Sequence, residues 1–189
     1  MRDLSIAKWN SKQALTQYQG ECSSHELASL LVTEAIQYSK FISKQPVFLL
    51  FLDAKSAFDS VVIPYLVRNL FLSGMEGKAV QYMENRLLNR ATICEFDNNL
   101  VGPIYDERGL EQGGVPSSDC CKLYNNELHD ICQSSKLGVD MGKLILSSVG
   151  QADDTGLLSN DIQKLMHIFS CALIIASSMM SNSAQPRPN

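Results

Sequence analysis

Phe48-Leu49-Leu50-Phe51-Leu52-Asp53-Ala54-Lys55-Ser56-Ala57-Phe58-Asp59 is the stretch on which the fold of this chain turns. From Val47 to Leu52 every residue is apolar, with no alternation, and a carboxylate follows at Asp53. A short apolar run bounded by Pro46 and an aspartate predicts a central β-strand covered on both faces. About a hundred residues later, Gly150-Gln151-Ala152-Asp153-Asp154-Thr155 sits between two further apolar runs, Leu144 to Val149 and Thr155 to Leu158. Those runs predict a hairpin with its turn at Gln151 to Asp154. Strands of this kind pair in a core and can bring distant carboxylates to one edge. Converging carboxylates bind hard divalent metals, and such metals handle phosphates.

The flanking sequence predicts the other elements. Ser23-Ser24-His25-Glu26 offers a capping box, and Leu27, Leu30, Leu31, Ala35 and Ile36 recur at helical spacing, so a helix is expected to about Lys44. A second helix is expected from Ser60 to Leu72, with Asp59 as its N-cap and Pro64 early, where proline costs least. A third spans 76 to 89, with Val80, Met83 and Leu87 on one face. Ala91 to Phe96 and Val101 to Tyr105 read as a hairpin around Asp97-Asn98-Asn99, residues that tolerate left-handed backbone. The glycine-rich segment Arg108-Gly109-Leu110-Glu111-Gln112-Gly113-Gly114-Val115-Pro116 then opens into a helix reaching Ser134. A last helix starts near Asp161, and residues 181–189 read as a disordered tail.

Composition narrows the classes. The chain has 189 residues, enough for a domain with a real core, and 45% of them are hydrophobic. The apolar run Val47 to Leu52 is far too short to span a bilayer, and Met1-Arg2-Asp3-Leu4 lacks the apolar core of a signal peptide, so an intracellular protein without a membrane partner is expected. The net charge of −4 argues against a self-sufficient nucleic-acid binder with a basic face. Six cysteines, none in a CxxC pair, are expected to be reduced and structural. No HxxxH or HExxH spacing exists for a histidine-ligated metal.

Each candidate site residue also has a plainer reading. Asp53 can simply end a strand and cap the next turn. Asp153-Asp154 can be an exposed acidic turn, although adjacent carboxylates between apolar strands repel unless a cation offsets them. Gly113 and Gly114 can mark an ordinary tight turn, and Phe58 can be a core aromatic. Lys55, Arg90 and Arg108 can be solvated surface charges.

Order and spacing bring these signals together. A strand-terminal aspartate with an aromatic five residues on, then Arg-Gly-x-x-Gln-Gly before a helix, then x-Ala-Asp-Asp in a hairpin, resembles the palm of reverse transcriptases, most closely those of non-LTR (LINE-type) retrotransposons. Phe51 to Asp59 is similar to their motif A, Gly109 to Ser118 to motif B, and Gln151 to Asp154 to motif C. Gln17 to Ser24 resembles the glycine-and-serine segment at the end of the fingers, and the likeness covers roughly residues 12 to 165. It implies an α+β fold: a polymerase palm with a small, mostly antiparallel sheet packed on helices on one face. Residues 1–45 would be a partial fingers segment and residues 46–180 the palm. It implies RNA-dependent DNA polymerase activity, with an RNA template, a DNA primer and dNTPs as partners. Asp53, Asp153 and Asp154, with the carbonyl of Ala54, would hold two Mg²⁺ ions, Mn²⁺ serving as a substitute. Phe58 would lie beneath the sugar and select deoxynucleotides, Gln112 and Gly113 would line the nucleotide pocket, and Gln151 would stand near the primer end.

Two departures accompany the likeness. Gln151 occupies a position that is usually aromatic in the family, and the segments that should follow motif C, a lysine-bearing motif and a thumb, find no match after about Ile168. The expectation is a palm-centred fragment that is incomplete alone, with a truncated, inactive retroelement relic as the alternative. A phosphotransfer domain with Asp53 as nucleophile is the third reading. It is disfavoured because Lys55 stands where phosphatases of that class need a second aspartate.

Overall fold

A computed structural model describes residues 25–88, 90–106, 108–151 and 154–181. The capping serine Ser23, the Gln17 to Ser24 segment, Ala152, Asp153 and the tail from residue 182 lie outside the described residues. Helix α1 (His25–Tyr38) runs on into a wider helical turn, Ser39–Ser43, which ends at Lys44 in the left-handed region. Then come β1 (Phe48–Asp53), α2 (Ile63–Leu72), α3 (Lys78–Leu87), β2 (Arg90–Phe96), β3 (Asn99–Asp106) and α4 (Ser117–Ser134). The short strands β4 (Val139–Asp140) and β5 (Ile145–Leu146) precede β6 (Ser148–Gln151), β7 (Asp154–Ser159) and α5 (Ile162–Ser181).

The main sheet has the order β1-β7-β6 and is antiparallel throughout. β1 is therefore an edge strand, not the central strand its composition suggested. Its unbroken apolar run reports helices on two faces rather than neighbours on two sides. Phe48, Leu50 and Leu52 face Leu157, Cys132 and the α5 residues Leu165, Ile168 and Ala172. Leu49 lies on the other face with Leu158 and Val149, packed against Ala28 and Ala35 of α1. The fold is the expected α+β palm-like layer, with the addition that α1 covers part of the second face.

The stripe of α1 that meets the sheet is Ala28, Leu31, Val32 and Ala35, while Leu27, Leu30 and Ile36 are exposed. Small residues let this helix approach the strands closely, which spacing of large apolar residues alone did not reveal. Another cluster joins α2, α3 and the start of α4 through Val61, Leu66, Leu70, Met83, Leu87 and Cys120.

Three further expectations shift. The Leu144 to Val149 run is cut at Ser147: Ile145 and Leu146 pair with β4, and Ser148 onward pairs with β7. α2 begins at Ile63 with Val62 as its N-cap and no side-chain cap, so Asp59 does not cap it. The capping role falls at the last helix, where Asp161 Oδ1 accepts from the N–H groups of Gln163 and Lys164 at 2.7 and 3.1 Å. At the β2–β3 hairpin, Asp97 and Asn98 take positive φ as their chemistry allows. Cys94, Cys120, Cys121, Cys132 and Cys171 are free thiols, and burial raises Cys120 to about 12 and Cys132 to about 11, which keeps both inert. No helix among the described residues is long and apolar enough to cross a membrane.

Leu157 and Phe51 lie on neighbouring strands, yet Leu157 is fully buried and Phe51 is 72% exposed. Leu157→Ala is expected to cost about 2–5 kcal/mol. Phe51→Ala is expected to cost less than about 1 kcal/mol. Urea unfolding of the two variants checks the assignment of faces.

Candidate active site at the carboxylate edge

The register of the β1–β7 pair sets Asp53 opposite Asp154, and the β6–β7 pair sets Gln151 on the other side of Asp154. Residues opposite one another in a ladder share a face, so Asp53, Asp154 and Gln151 stand in a row at one end of the sheet. They are on the face that α1 covers farther down, beyond the point where its packing ends. Both carboxylates are exposed. Below them on the same face lie Phe51, Gly156 and Val149. A Cβ on Gly156 would stand 3.5 Å from the Phe51 ring, an ordinary contact, so the ring lies beside this glycine on the same face. That exposed aromatic next to the carboxylates was not anticipated from the sequence. Its strand reads as uniformly buried.

Because Gln151 pairs with Asp154, only Ala152 and Asp153 join β6 to β7, and the expected carboxylate Asp153 lies outside the described residues. Two like charges directly opposite in a ladder are unfavourable. The amide oxygen of Gln151, beside Asp154, is shielded from solvent and has no hydrogen-bond partner among the described residues. This edge therefore presents an excess of oxygen acceptors. Among the described residues, no group of three or more His, Cys, Asp or Glu is placed to hold a metal ion.

The segment after Asp53 is a tight turn. Ala54 is exposed, Ser56 takes φ 53°, and the N–H of Ser60 donates to Ser56 O at 2.9 Å. Phe58 is half-buried against the α2–α3 cluster. This turn is stitched to the glycine-rich loop: Leu110 N donates to Phe58 O at 2.8 Å and Gly109 N donates to Val61 O at 2.9 Å. Gly109 has φ 91°, and a Cβ there would stand 3.1 Å from Asp59 Cα, so both conformation and space require glycine. From the other side, Arg90 Nη2 donates to Gly109 O at 2.6 Å. Farther along, Gln112 and Gly113 are exposed, Gly113 with φ 81° and nothing near its missing Cβ. Arg86 and Glu111 form an exposed ion pair at 2.7 Å, to which little stability is due.

Under the sheet, α4 holds β6 through His129. Its Nδ1 is 3.0 Å from Ser148 Oγ, and a Cβ on Gly150 would fall 2.5 Å from Nε2, so the strand backbone rests on the imidazole. Burial lowers His129 from 6.5 to about 4, and it is neutral at physiological pH. A groove of about 350 Å³ between α2 and α4, lined in part by Asn69, Glu127 and Asp130, shares no residue with the carboxylate edge.

The model of the family described as reverse transcriptase (RNA-dependent DNA polymerase) matches residues 7–180. A solved structure of apo telomerase from Candida tropicalis, truncated from the C-terminal domain, matches with a TM-score of 0.54 at 12% identity. The match covers 91% of this chain and 36% of that one, so this chain spans about a third of that structure. At this identity the likeness is one of fold. No curated protein matches.

Two measurements check this geometry. Gly109→Ala is expected to destabilise by roughly 1–3 kcal/mol in chemical unfolding, because it forces φ 91° on an L-residue against the Asp59 backbone. His129 is expected to make stability fall as pH drops. With a folded value of about 4 against 6.5 unfolded, its neutral burial contributes fully above pH 6.5 and is progressively lost below it. At pH 5 the loss relative to pH 7 should reach roughly 2 kcal/mol, and His129→Gln should remove that part of the pH dependence.

Proposed function

Starting from a chain that belongs to the reverse transcriptase (RNA-dependent DNA polymerase) family, we propose that its carboxylate edge is the nucleotidyl-transfer site of a palm of the non-LTR (LINE-type) retrotransposon kind. The observation that carries this reading is Asp53 facing Asp154 across the β1–β7 pair, with Asp153 adjacent in the chain. In this reading residues 46–180 are the palm and residues 1–45 contribute to the fingers.

The donor set fits a hard divalent cation: two opposed carboxylates, with the Gln151 amide oxygen, unpartnered among the described residues, beside them. Asp53, Asp153, Asp154 and the carbonyl of Ala54 would hold Mg²⁺, with Mn²⁺ as substitute. When bound, two such ions neutralise phosphate charge and lower the pKa of a primer 3′-hydroxyl.

The chain's own residues supply position. The exposed edge leaves room for a primer end beside Gln151, and Phe51 offers a flat apolar floor below it. Phe58, held in the turn that is hydrogen-bonded to Gly109 and Leu110, would meet the sugar of an incoming dNTP. Gln112 and Gly113 project from the same loop and would line the nucleotide pocket. One rigid unit would thus carry both the metal ligand Asp53 and the nucleotide wall, which keeps the reacting groups in register. An RNA template and a DNA primer are the partners this reading requires.

The test is Mg²⁺- or Mn²⁺-dependent extension of a DNA primer on an RNA template. Extension is expected to fall by about a thousandfold or more in Asp53→Ala and in Asp153→Ala. Extension that persists in both variants contradicts the assignment. Phe58→Ala is expected to raise ribonucleotide use relative to deoxynucleotide use by about tenfold or more, read as the ratio of kcat/KM values.

A further inference from the structure

Arg90 is a cation at the foot of the glycine-rich loop, and the proposed chemistry does not use it. It opens β2 and pairs with Asp106 at the end of β3, so the base of the hairpin fixes its backbone. Its Nη2 donates to Gly109 O at 2.6 Å and lies 3.4 Å from Arg108 O. Its Nε is shielded from solvent and has no partner among the described residues. A half-buried guanidinium with one donor unpaired relies on the donors that remain, and a charged donor makes the stronger kind of hydrogen bond.

The Gly109 peptide is gripped on both sides. Its N–H donates to Val61 O, and its C=O accepts from Arg90. The other foot of the loop is Pro116 and Ser117, where α4 begins. Arg90 lines one small cavity together with Leu110, Glu111, Pro116, Ser117 and Cys120, so both feet of the loop meet at this side chain. Between the feet stand Gln112 and Gly113, both exposed. The loop's own turns there are closed by Gly114 N donating to Glu111 O at 3.2 Å and Ser117 N donating to Gly114 O at 2.9 Å. The Arg86–Glu111 pair also touches the loop, but it is exposed and holds it weakly.

We propose that Arg90 is a positioning residue: it clamps the Gly109 carbonyl so that Gln112 and Gly113 keep the pose in which they meet a nucleotide. The proposal rests on reading that loop as the wall of a nucleotide pocket. An arginine that only steadies the β2–β3 hairpin is the competing role, and the test separates the two.

In the full 189-residue chain, hydrogen–deuterium exchange is followed for Arg90→Met, Arg90→Lys and Arg86→Gln. Arg90→Met is expected to speed exchange of the amides in residues 109–117 by about tenfold, with α4 beyond its first turn unchanged. Arg90→Lys keeps one charged donor and should speed it by less than about threefold. Arg86→Gln should stay within about twofold of wild type. In primer extension, Arg90→Met is expected to raise KM for dNTP about fivefold to tenfold with kcat within about twofold, and Arg90→Lys to recover most of that loss. Unchanged exchange in the loop overturns the proposal. Exchange raised as much in β2 and β3 as in the loop overturns it too, in favour of the hairpin role. So does a lowered kcat at wild-type KM. If the wild-type chain does not extend a primer, the nucleotide-wall reading fails, and the exchange pattern still decides whether Arg90 holds the loop.

Discussion

The antiparallel register of β1 against β7 is the constraint on which the rest depends. Leu50 opposite Leu157 and Leu49 opposite Leu158 fix the pairing, because each pair must enter a different helical layer. A slip of one residue would carry Leu157 and Leu50 out of the core and destroy both faces. The same register sets Asp53 opposite Asp154 at the free end of the pair. The burial of leucines near the middle of the sheet therefore holds two carboxylates together at its edge, against their mutual repulsion.

A second constraint joins the sheet to the loop that follows the β2–β3 hairpin. Hydrogen bonds from Gly109 and Leu110 to Val61 and Phe58 lock the turn after Asp53 to the start of α4, and α4 in turn supports β6 through His129. The three segments whose likeness to a polymerase palm was visible in the sequence are thus one connected body. Motion of the glycine-rich loop would be felt at Phe58, and any displacement of α4 at Gly150. Gly109 and Gly150 each mark a place where another residue comes too close for a side chain.

What the sequence made legible follows from which signals are local. The strand from Phe48, the loop opening into α4 and the acidic hairpin were found because apolar runs, glycines and adjacent carboxylates are short-range patterns. The edge position of β1 was not, because composition reports how many layers cover a strand and says nothing of how many neighbours it pairs with. Asp59 was assigned a cap because it precedes an apolar helical pattern, but the turn tied to Gly109 occupies those residues and delays the helix to Ile63. The roles of Phe58, Gln112 and Gly113 came from family likeness alone; the fold adds that they share a hydrogen-bonded frame.

We propose that two aspartates from segments about a hundred residues apart share one cation site. Calorimetric titration of Mn²⁺ into the wild-type chain, Asp53→Asn, Asp154→Asn and the double variant tests it most directly. Each single variant is expected to weaken the same binding event, and the double variant to lose little more than the more damaging single one. Losses that add independently, or a loss from one aspartate alone, would contradict a shared site.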